Sequence, residues 1–490
     1  MRSLLVVALA AGLAACDDAS EDGGAGGTQV DGGGVGGAGG AGGEGGSLEL
    51  PATYTFVDGA GAETVSYTGQ SFRHVLIAEL TAWLGGLTAQ IDGGTFVPAE
   101  GDVVAALGFW FDFDAEIGGS QAVGLTTDPP TKQRDYAAFG STAKLAEKIA
   151  GNDPEGQHAD WSTAFVGFTA PGVTTPESLV RHWFAEIEAL AVARANGEPA
   201  LGPDNTPIAS VFVSPEGLDY KELLQKFLLG AIAFSQGADD YLDDDLPGKG
   251  LLSDNVARVE GKPYTALAHG WDEGFGYFGA AKDFGDYTDD ELAAAGGRPE
   301  RAKGYFDLDG DGAIDLGSEF NFGHSTNAAK RDRGSNASTD FTRDAWEGFL
   351  AGRALIARAG ELDAAELAQL KAHRDRAVGA WEAAIASTVV HYINDVLRDM
   401  AAAEYDFMGH AKHWSELKGF ALSLQFNPRS PLSDADFAEF HRLVGQRPVR
   451  PGEAEATAYR QGLLDARALV AAAYGFDAAN VGDENGENGW

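Results

Sequence analysis

Cysteine is almost absent from this chain: the only one among 490 residues is Cys16. No intrachain disulfide can form, so the apolar core has to supply the stability of the fold. Basic residues are also scarce, with 35 Lys and Arg against 74 Asp and Glu and a formal charge of -39. This imbalance argues against nucleic acid as a partner and against a basic membrane-binding face, because phosphate groups are bound by clustered Lys and Arg. The charge instead favours a cation or a neutral ligand.

Several catalytic signatures are missing as well. The sequence has no His-Glu-x-x-His zinc-protease helix, no Gly-x-Ser-x-Gly elbow and no phosphate-binding P-loop. It also has no Gly-x-Gly-x-x-Gly that opens a helix after a strand. We therefore expect a binding protein that is not an enzyme of these classes.

The amino-terminal residues are typical of an exported lipoprotein. A basic start and a short apolar run lead into Leu13-Ala14-Ala15-Cys16, which resembles the bacterial lipobox. We predict a signal peptide over residues 1–15, a lipid on Cys16 and a flexible Gly-rich tether over residues 16–47. Because no later stretch approaches the twenty apolar residues that span a bilayer, the membrane would be contacted through the lipid anchor only. The expected location is the bacterial cell envelope outside the cytoplasm, at the outer membrane or the cell surface.

Apolar residues recur at helical spacing from Gln70 onward, and this predicts a helical body over residues 48–490. Long helices are expected over residues 176–196, 220–235, 361–400 and 453–473. Residues 362–400 contain no proline and much alanine, which predicts one long helix or two joined near Gly379. We predict an all-α fold of long-helix bundles, internally duplicated, with a short N-terminal β arm after Pro51.

The sharpest local motif is FDLDGDGAIDLGSEF, which lies in a predicted calcium-loop insertion over residues 304–324. Aspartates stand at positions 1, 3, 5 and 9 of an EF-hand-type loop, with a glycine at position 6 for the sharp turn. Position 12 is Ser318, so the closing carboxylate is either shifted by one residue or missing. The predicted Ca²⁺ ligands are Asp307, Asp309, Asp311, the Ala313 carbonyl, Asp315 and Glu319.

Two helices carry a His-x-x-acid pattern, in which an imidazole and a carboxylate share one face. The first pattern runs from His269 to Asp272 and the second from His413 to Glu416, and each is followed by a Gly-Phe pair. This similarity suggests two facing halves that hold one Fe, Cu or Zn ion. The alternative is that each histidine packs in a helix interface. The predicted transition-metal ligands are His269, Asp272, Glu273, His410, His413 and Glu416.

A third acidic feature is the run ADDYLDDDLPGKG, which contains Asp239, Asp240, Asp243, Asp244 and Asp245. Such a run is typical of a solvated loop or helix end. The alternative interpretation is a second, weak divalent-cation site.

The sequence resembles imelysin-like proteins, and most closely a bacterial lipoprotein family catalogued as domain of unknown function 4856. The resemblance depends on HGWDEGFGYFG at 269–279, DGDGAIDLGSEFNFG at 309–323, TVVHYINDVL at 388–397 and HAKHWSELKGFALSLQFNP at 410–428. His413 and Glu416 match the imelysin Gly-x-His-x-x-Glu motif, although Ala411 replaces its glycine. The resemblance implies an envelope protein of iron or other metal acquisition.

Together these features predict an envelope-anchored protein that binds a transition metal and carries a structural Ca²⁺ loop. One alternative is a metallopeptidase in which the same ion activates water and Glu273 or Glu416 is the general base. The other is a scaffold that binds a polysaccharide or a partner protein and holds only calcium. A metal ion, an envelope transport partner or a glycan are the partners that these hypotheses imply.

Overall fold

The computed structural model describes residues 50–140, 143–153 and 156–490. The predicted signal peptide, Cys16 and the tether lie outside these residues. Within the described ranges every regular secondary-structure element is helical and no strand forms, which confirms the all-α prediction. The N-terminal β arm is not confirmed, because the residues after Pro51 make only an isolated antiparallel bridge between Val57 and Glu63.

The described residues form fifteen α-helices. They are α1 (Thr68–Asp92), α2 (Asp102–Phe111), α3 (Ala115–Gly118), α4 (Trp161–Ala164), α5 (Pro176–Ala195), α6 (Tyr220–Leu228), α7 (Ala266–Phe278), α8 (Asp289–Leu292), α9 (Gly323–Arg333), α10 (Phe341–Arg358), α11 (Ala364–Ala401), α12 (Phe407–Ala421), α13 (Asp434–Val444), α14 (Ala456–Tyr474) and α15 (Ala478–Val481). Two π-helical segments, Leu229–Phe234 and Gln236–Tyr241, continue α6. Short 3-10 turns are formed by Tyr136–Phe139, Gly250–Leu252, Phe284–Asp286 and Leu422–Gln425.

The longest helix, α11, runs for 38 residues without a break at Gly379. Its start is set by a capping box in which Asp363 accepts from the backbone of Glu366 and Glu366 accepts from the backbone of Asp363. At 1.5 Å per residue it is about 57 Å long. The one-helix alternative is therefore correct.

The core is built around α11, which packs against α9, α10, α12 and α14. Four indoles, those of Trp183, Trp271, Trp381 and Trp414, are fully buried. Buried indole N–H groups need acceptors, and Trp271 donates to the carbonyl of Phe349 at 2.9 Å. The aromatic side chains of α7 thus belong to the core.

The acidic run after residue 236 lies at a helix end, which is one of the two interpretations from the sequence, but of its five aspartates only Asp245 is exposed. The helix continues to Tyr241 in π geometry, and Asp239 and Asp243 are buried. Asp239 lies 2.9 Å from Nδ1 of His158, and Asp243 accepts from Arg429 at 2.6 Å. These partners come from distant parts of the chain, so local composition could not reveal them.

The two His-x-x-acid helices have different surroundings. Helix α7 packs against α1, α10 and the two π-helical segments, whereas α12 packs against α6 and α11. The predicted internal duplication is not confirmed by this arrangement.

Candidate functional site

The acidic loop, defined here as residues 307–319, brings three carboxylates together. One oxygen from each of Asp307, Asp309 and Asp311 lies within 4.8 Å of the other two. In the part of the chain that the structure describes, no other three His, Cys, Asp or Glu side chains converge this closely. Two ligands of one Ca²⁺ ion are at most about 5 Å apart, because each Ca–O distance is about 2.3–2.6 Å. The three aspartates therefore meet the spacing requirement of a hard cation.

Backbone N–H groups fix the orientation of these aspartates. Asp307 accepts from the backbone of Asp311 at 3.1 Å and of Gly312 at 2.9 Å. Asp311 accepts in turn from the backbone of Ala313 at 3.0 Å. Gly312 has φ of 84°, a conformation that residues with a side chain rarely adopt. The backbone thus makes the sharp turn of the EF-hand-type motif at Gly312, where the absence of a side chain permits it.

The remaining two predicted carboxylate ligands are used inside the loop. Glu319 is 3% exposed and accepts from the backbone of Asp309 at 3.2 Å and of Asp315 at 2.7 Å. Asp315 accepts from the backbone of Gly317 at 2.8 Å and from the amide of Gln133 at 2.9 Å. Glu319 therefore stabilises the loop from within, Asp315 also links it to Gln133, and both lie outside the group of three.

A lysine from another part of the chain already balances part of this charge. The ammonium of Lys132 lies 2.8 Å from Asp309 and 2.9 Å from Asp311. Its position is set by backbone pairing, because Lys132 donates to the carbonyl of Ile314 at 2.8 Å and Ile314 donates to that of Pro130 at 3.0 Å. A metal ion that bound the three aspartates would compete with this ammonium group.

The histidines of α12 are each bonded to a neighbouring side chain. Nδ1 of His413 lies 2.8 Å from Asp399, and Nδ1 of His410 lies 3.0 Å from the Tyr405 hydroxyl. Burial by itself would lower the pKa of His413, but the hydrogen bond and the charge of Asp399 raise it above the ordinary value. Burial lowers the pKa of His410 to about 4. His413 is thus an ion-pair partner, and His410 is a neutral buried ring.

Glu416 belongs to a buried ionic cluster between α6 and α12. Its carboxylate lies 3.2 Å from the ammonium of Lys226, which also donates to Glu222 at 2.8 Å. Lys226 and Glu416 are both 0% exposed. Burial would raise the pKa of Glu222, but Lys226 and Lys221 hold it down at about 2. The carboxylate of Glu416 therefore compensates a buried lysine.

Asp272 on α7 also has a structural partner. It accepts from Nε of Arg353 at 2.7 Å, from the Tyr54 hydroxyl at 3.0 Å and from the backbone of Ser66 at 3.1 Å. Asp272 and Arg353 are 0% and 1% exposed. These contacts hold the residues before α1 against α7 and α10.

His269 and Glu273 lie one turn apart on the same helix. Nδ1 of His269 is 3.1 Å from the carbonyl of Ser66, and its Nε2 is 3.8 Å from Glu273. Glu273 accepts from the amide of Gln70 at 2.6 Å. The transition-metal ligands predicted from the sequence are thus distributed over α7 and α12, and no three of them form a group. The shared site stays a prediction.

Asp240, on the second π-helical segment, and Glu273, on α7, were both candidates from the sequence, but the sequence did not indicate their burial. Burial, together with the charge of Asp153, raises the pKa of Asp240 to about 7. Burial likewise raises the pKa of Glu273 to about 7. Each carboxyl is partly protonated near neutral pH, a property common at functional sites. The acidic run that contains Asp240 was visible in the sequence, but its burial was not.

Sequence reasoning missed Lys418 on α12. It is 0% exposed, donates to the carbonyl of Gly445 at 2.7 Å and lies 3.0 Å from Nδ1 of His441. Burial lowers its pKa to about 7. The sequence does not indicate the burial of Lys418, because this lysine stands in a helix of mixed polar and apolar residues.

None of the described helices combines the length and the apolar character that crossing a membrane requires.

Residues 183–290 match a family model described as Domain of unknown function (DUF4856). The matched segment is less than a quarter of the chain and includes both π-helical segments and α7, but it ends before the acidic loop. No curated protein and no solved structure matches the chain. Over residues 183–290 this protein is therefore similar to the DUF4856 family, and the link to imelysin-like proteins is not shown.

Proposed function

We propose that this protein is a lipid-anchored protein of the bacterial cell envelope that binds Ca²⁺ through the acidic loop. The observation that carries the proposal is the convergence of Asp307, Asp309 and Asp311 on a loop whose spacing follows the EF-hand pattern. Hard carboxylate oxygens suit Ca²⁺ better than the softer transition metals.

The affinity is expected to be low. An EF-hand loop is closed by a bidentate carboxylate at position 12, and here that position is Ser318. Glu319 is occupied by backbone N–H groups, so the remaining ligands would be the Ala313 carbonyl and water. A dissociation constant of about 10⁻⁴ to 10⁻³ M, the range of extracellular modules, fits such a site.

The role of the ion in this proposal is structural. The acidic loop lies between α8 and α9, and it pairs through Ile314 with the segment that contains Lys132. An ion at the three aspartates would fix the conformation of the acidic loop, which makes this backbone pairing. Because it binds only the folded state, it would raise the free energy of unfolding.

The envelope location follows from the sequence of residues 1–47. A short apolar run, a lipobox-like tetrapeptide and a single cysteine support lipidation at Cys16. Mass spectrometry of the protein purified from membranes should find a lipid on Cys16, and Cys16→Ser should release the protein from the membrane fraction.

The imelysin-like relationship is part of the same proposal, and His413 and Glu416 support it by their match to the family motif. Transition-metal acquisition, peptidase activity and glycan binding also stay predictions. In the described residues His413 is paired with Asp399 and Glu416 with Lys226. We therefore place calcium binding first.

The test is calcium titration by isothermal calorimetry on the full chain. Asp309→Asn/Asp311→Asn should abolish Ca²⁺ binding and the Ca²⁺-dependent rise in unfolding temperature. Glu100→Gln/Glu198→Gln removes two exposed acidic groups elsewhere and should leave both unchanged. Ca²⁺ binding that survives in the loop variant, or that is lost equally in the control, would contradict the proposal.

A further inference from the structure

A cavity of about 80 Å³ lies beside α1, between α6 with its π-helical continuation and the residues that precede α9. Its wall is mostly apolar and includes Ile77, Leu229 and Phe322. Ala294 and Lys303 also line it and are exposed, so the cavity opens to solvent. We call it the Gln225 cavity, after a glutamine of its wall.

Most polar side chains of the wall are closed to a ligand. Asn321 accepts from the backbone of Ala281 at 2.8 Å and donates to the carbonyl of Gly304 at 2.9 Å. Thr326 donates to the carbonyl of Gly323 at 3.0 Å. Both side chains belong to residues that are only 3% exposed, so neither offers a contact.

The histidine of the wall is closed as well. Nε2 of His74 lies 3.0 Å from the carbonyl of Tyr277 and donates to it. Its Nδ1 is an acceptor without a partner in the described structure, but this atom is buried and has almost no accessible surface. A ligand in the cavity therefore makes no hydrogen bond to the histidine.

Gln225 offers an amide N–H donor. Its Oε1 lies 2.5 Å from the ammonium group of Lys226, and because an ammonium group only donates, this contact fixes the orientation of the amide. Among the described residues Nε2 has no hydrogen-bond partner, and it is not one of the buried atoms. The side chain is partly exposed, so this N–H group is accessible to an acceptor on a ligand.

Lys303 supplies a second donor. Its side chain is exposed, and in the described ranges its ammonium group makes no ion pair. His74 and Lys303 are the only ionisable side chains that line the cavity, and His74 is closed. A bound cation would need a carboxylate, which this wall lacks, so the ligand is an acceptor with a negative charge.

A carboxylate fits these two donors better than a phosphate group does. The formal charge of -39 opposes any anion, and a carboxylate carries one negative charge, whereas a phosphate group carries about 1.5 to 2 at pH 7. A sphere with the volume of this cavity is about 5 Å across, a distance that the flexible stem of Lys303 spans. One carboxylate oxygen thus accepts from Gln225 and the other from Lys303.

The volume limits the alkyl part of the ligand. An apolar cavity of about 150 Å³ holds benzene. By proportion the Gln225 cavity holds about three or four non-hydrogen atoms. This corresponds to a chain of about three carbons beyond the carboxylate.

We propose that the Gln225 cavity binds a short-chain monocarboxylate of about four carbons, whose carboxylate accepts from Gln225 and Lys303. The alkyl chain lies against Ile77 and Leu229. This site uses no carboxylate of the acidic loop, so its test does not depend on calcium binding.

The test titrates the full chain with acetate, propionate, butyrate and hexanoate, by saturation-transfer NMR and calorimetry. From acetate to butyrate each added methylene group should tighten binding about fourfold, because it is buried against the apolar wall. Hexanoate exceeds the volume and should bind no more tightly than butyrate. Affinity that does not depend on chain length, or no binding of any of these acids, would overturn the proposal.

Two further probes examine the charge of the ligand. Butylamine has a similar alkyl chain with a cation in place of the carboxylate, and it should not bind. Inorganic phosphate should not displace butyrate. Binding of butylamine, or displacement of butyrate by phosphate, would refute the assignment to a carboxylate.

Gln225→Glu changes the amide donor without removing its neighbour's acceptor. It keeps an oxygen for Lys226 but replaces the N–H group by a second carboxylate oxygen, and butyrate should bind at least about tenfold more weakly. Gln369→Glu adds the same charge at an exposed position outside the wall and should leave the affinity unchanged. Unchanged affinity in Gln225→Glu would overturn the proposal.

Lys303→Gln should weaken butyrate about threefold, because an exposed charge contributes little. Lys262→Gln, at an exposed lysine outside the wall, should not; an equal loss in both variants would refute a contact with Lys303. Ala78→Leu narrows the cavity and should abolish binding while the protein still unfolds cooperatively. Butyrate binding that persists in Ala78→Leu would place the ligand elsewhere and refute the assignment.

Discussion

The buried ion pair between Asp272 and Arg353 makes a quantitative prediction about the role of a residue that the sequence suggested as a metal ligand. Replacing Asp272 by Asn keeps the shape of the side chain but removes the charge opposite Arg353. Both side chains are almost fully buried and 2.7 Å apart. Breaking a buried pair by removing one partner costs about 3–5 kcal/mol, because the other charge is left without compensation. We expect Asp272→Asn to lower the free energy of unfolding by that amount.

Chemical denaturation followed by circular dichroism measures this change. The matched control is Asp290→Asn, which removes an Asp–Arg pair at 2.6 Å, with Arg333, in which both side chains are more than half exposed. Exposed pairs contribute less than about 1 kcal/mol, so the control should be nearly neutral. If both substitutions cost the same, burial does not govern the energy of this pair and the reasoning is refuted. If Asp272→Asn instead removes a bound transition metal without destabilising the metal-free protein, the residue is a ligand.

Three further predictions concern charged groups. Lys132→Met should tighten Ca²⁺ binding about two- to tenfold in calorimetry, because it removes the ammonium group that competes for Asp309 and Asp311. The control Lys144→Met, at a lysine paired with Glu147, should leave the affinity for Ca²⁺ unchanged. If Lys132→Met also leaves it unchanged, Lys132 does not compete with the ion. Glu273 has a raised pKa of about 7, so the folded state binds more protons than the unfolded state between about pH 4 and 7. The free energy of unfolding should therefore fall as pH rises through this window. Glu273→Gln should remove part of that fall, and a pH profile identical to that of the unsubstituted protein would contradict the assignment. Lys418 has a lowered pKa of about 7, so between about pH 7 and 10 the unfolded state binds more protons than the folded state. The free energy of unfolding should therefore rise with pH in this window. A Lys418→Met variant that keeps the full rise would disprove the effect.

Helix content was predictable because it depends on local spacing. The apolar repeats and the absence of proline over residues 362–400 correspond to α11, and the predicted helix at 176–196 corresponds to α5 (Pro176–Ala195). The convergence of Asp307, Asp309 and Asp311 was also predictable, since these residues lie within a few positions of one another in the chain. The β arm was not confirmed, because a short alternating pattern has no partner strand nearby to complete a ladder.

The interaction partners of the individual histidines and carboxylates could not be predicted in the same way. A His-x-x-acid pattern indicates that two side chains share a helix face, but not what the neighbouring helix presents to them. Asp399 opposite His413 and Arg353 opposite Asp272 lie 14 and 81 residues away in the chain. Either partner could have been apolar, and each residue would then have been available to a metal.

The sequence by itself determined the helical class, the acidic character, the lipobox-like start and the spacing of the acidic loop, because each of these depends on residues that are near one another in the chain. Only the tertiary structure decided that Lys132 faces the loop aspartates, that Glu416 compensates Lys226 and that His74 has an unused acceptor. The physical reason is that charge compensation and desolvation depend on which groups surround a side chain in space. Those neighbours come from several helices, and they are brought together only when the chain packs its core.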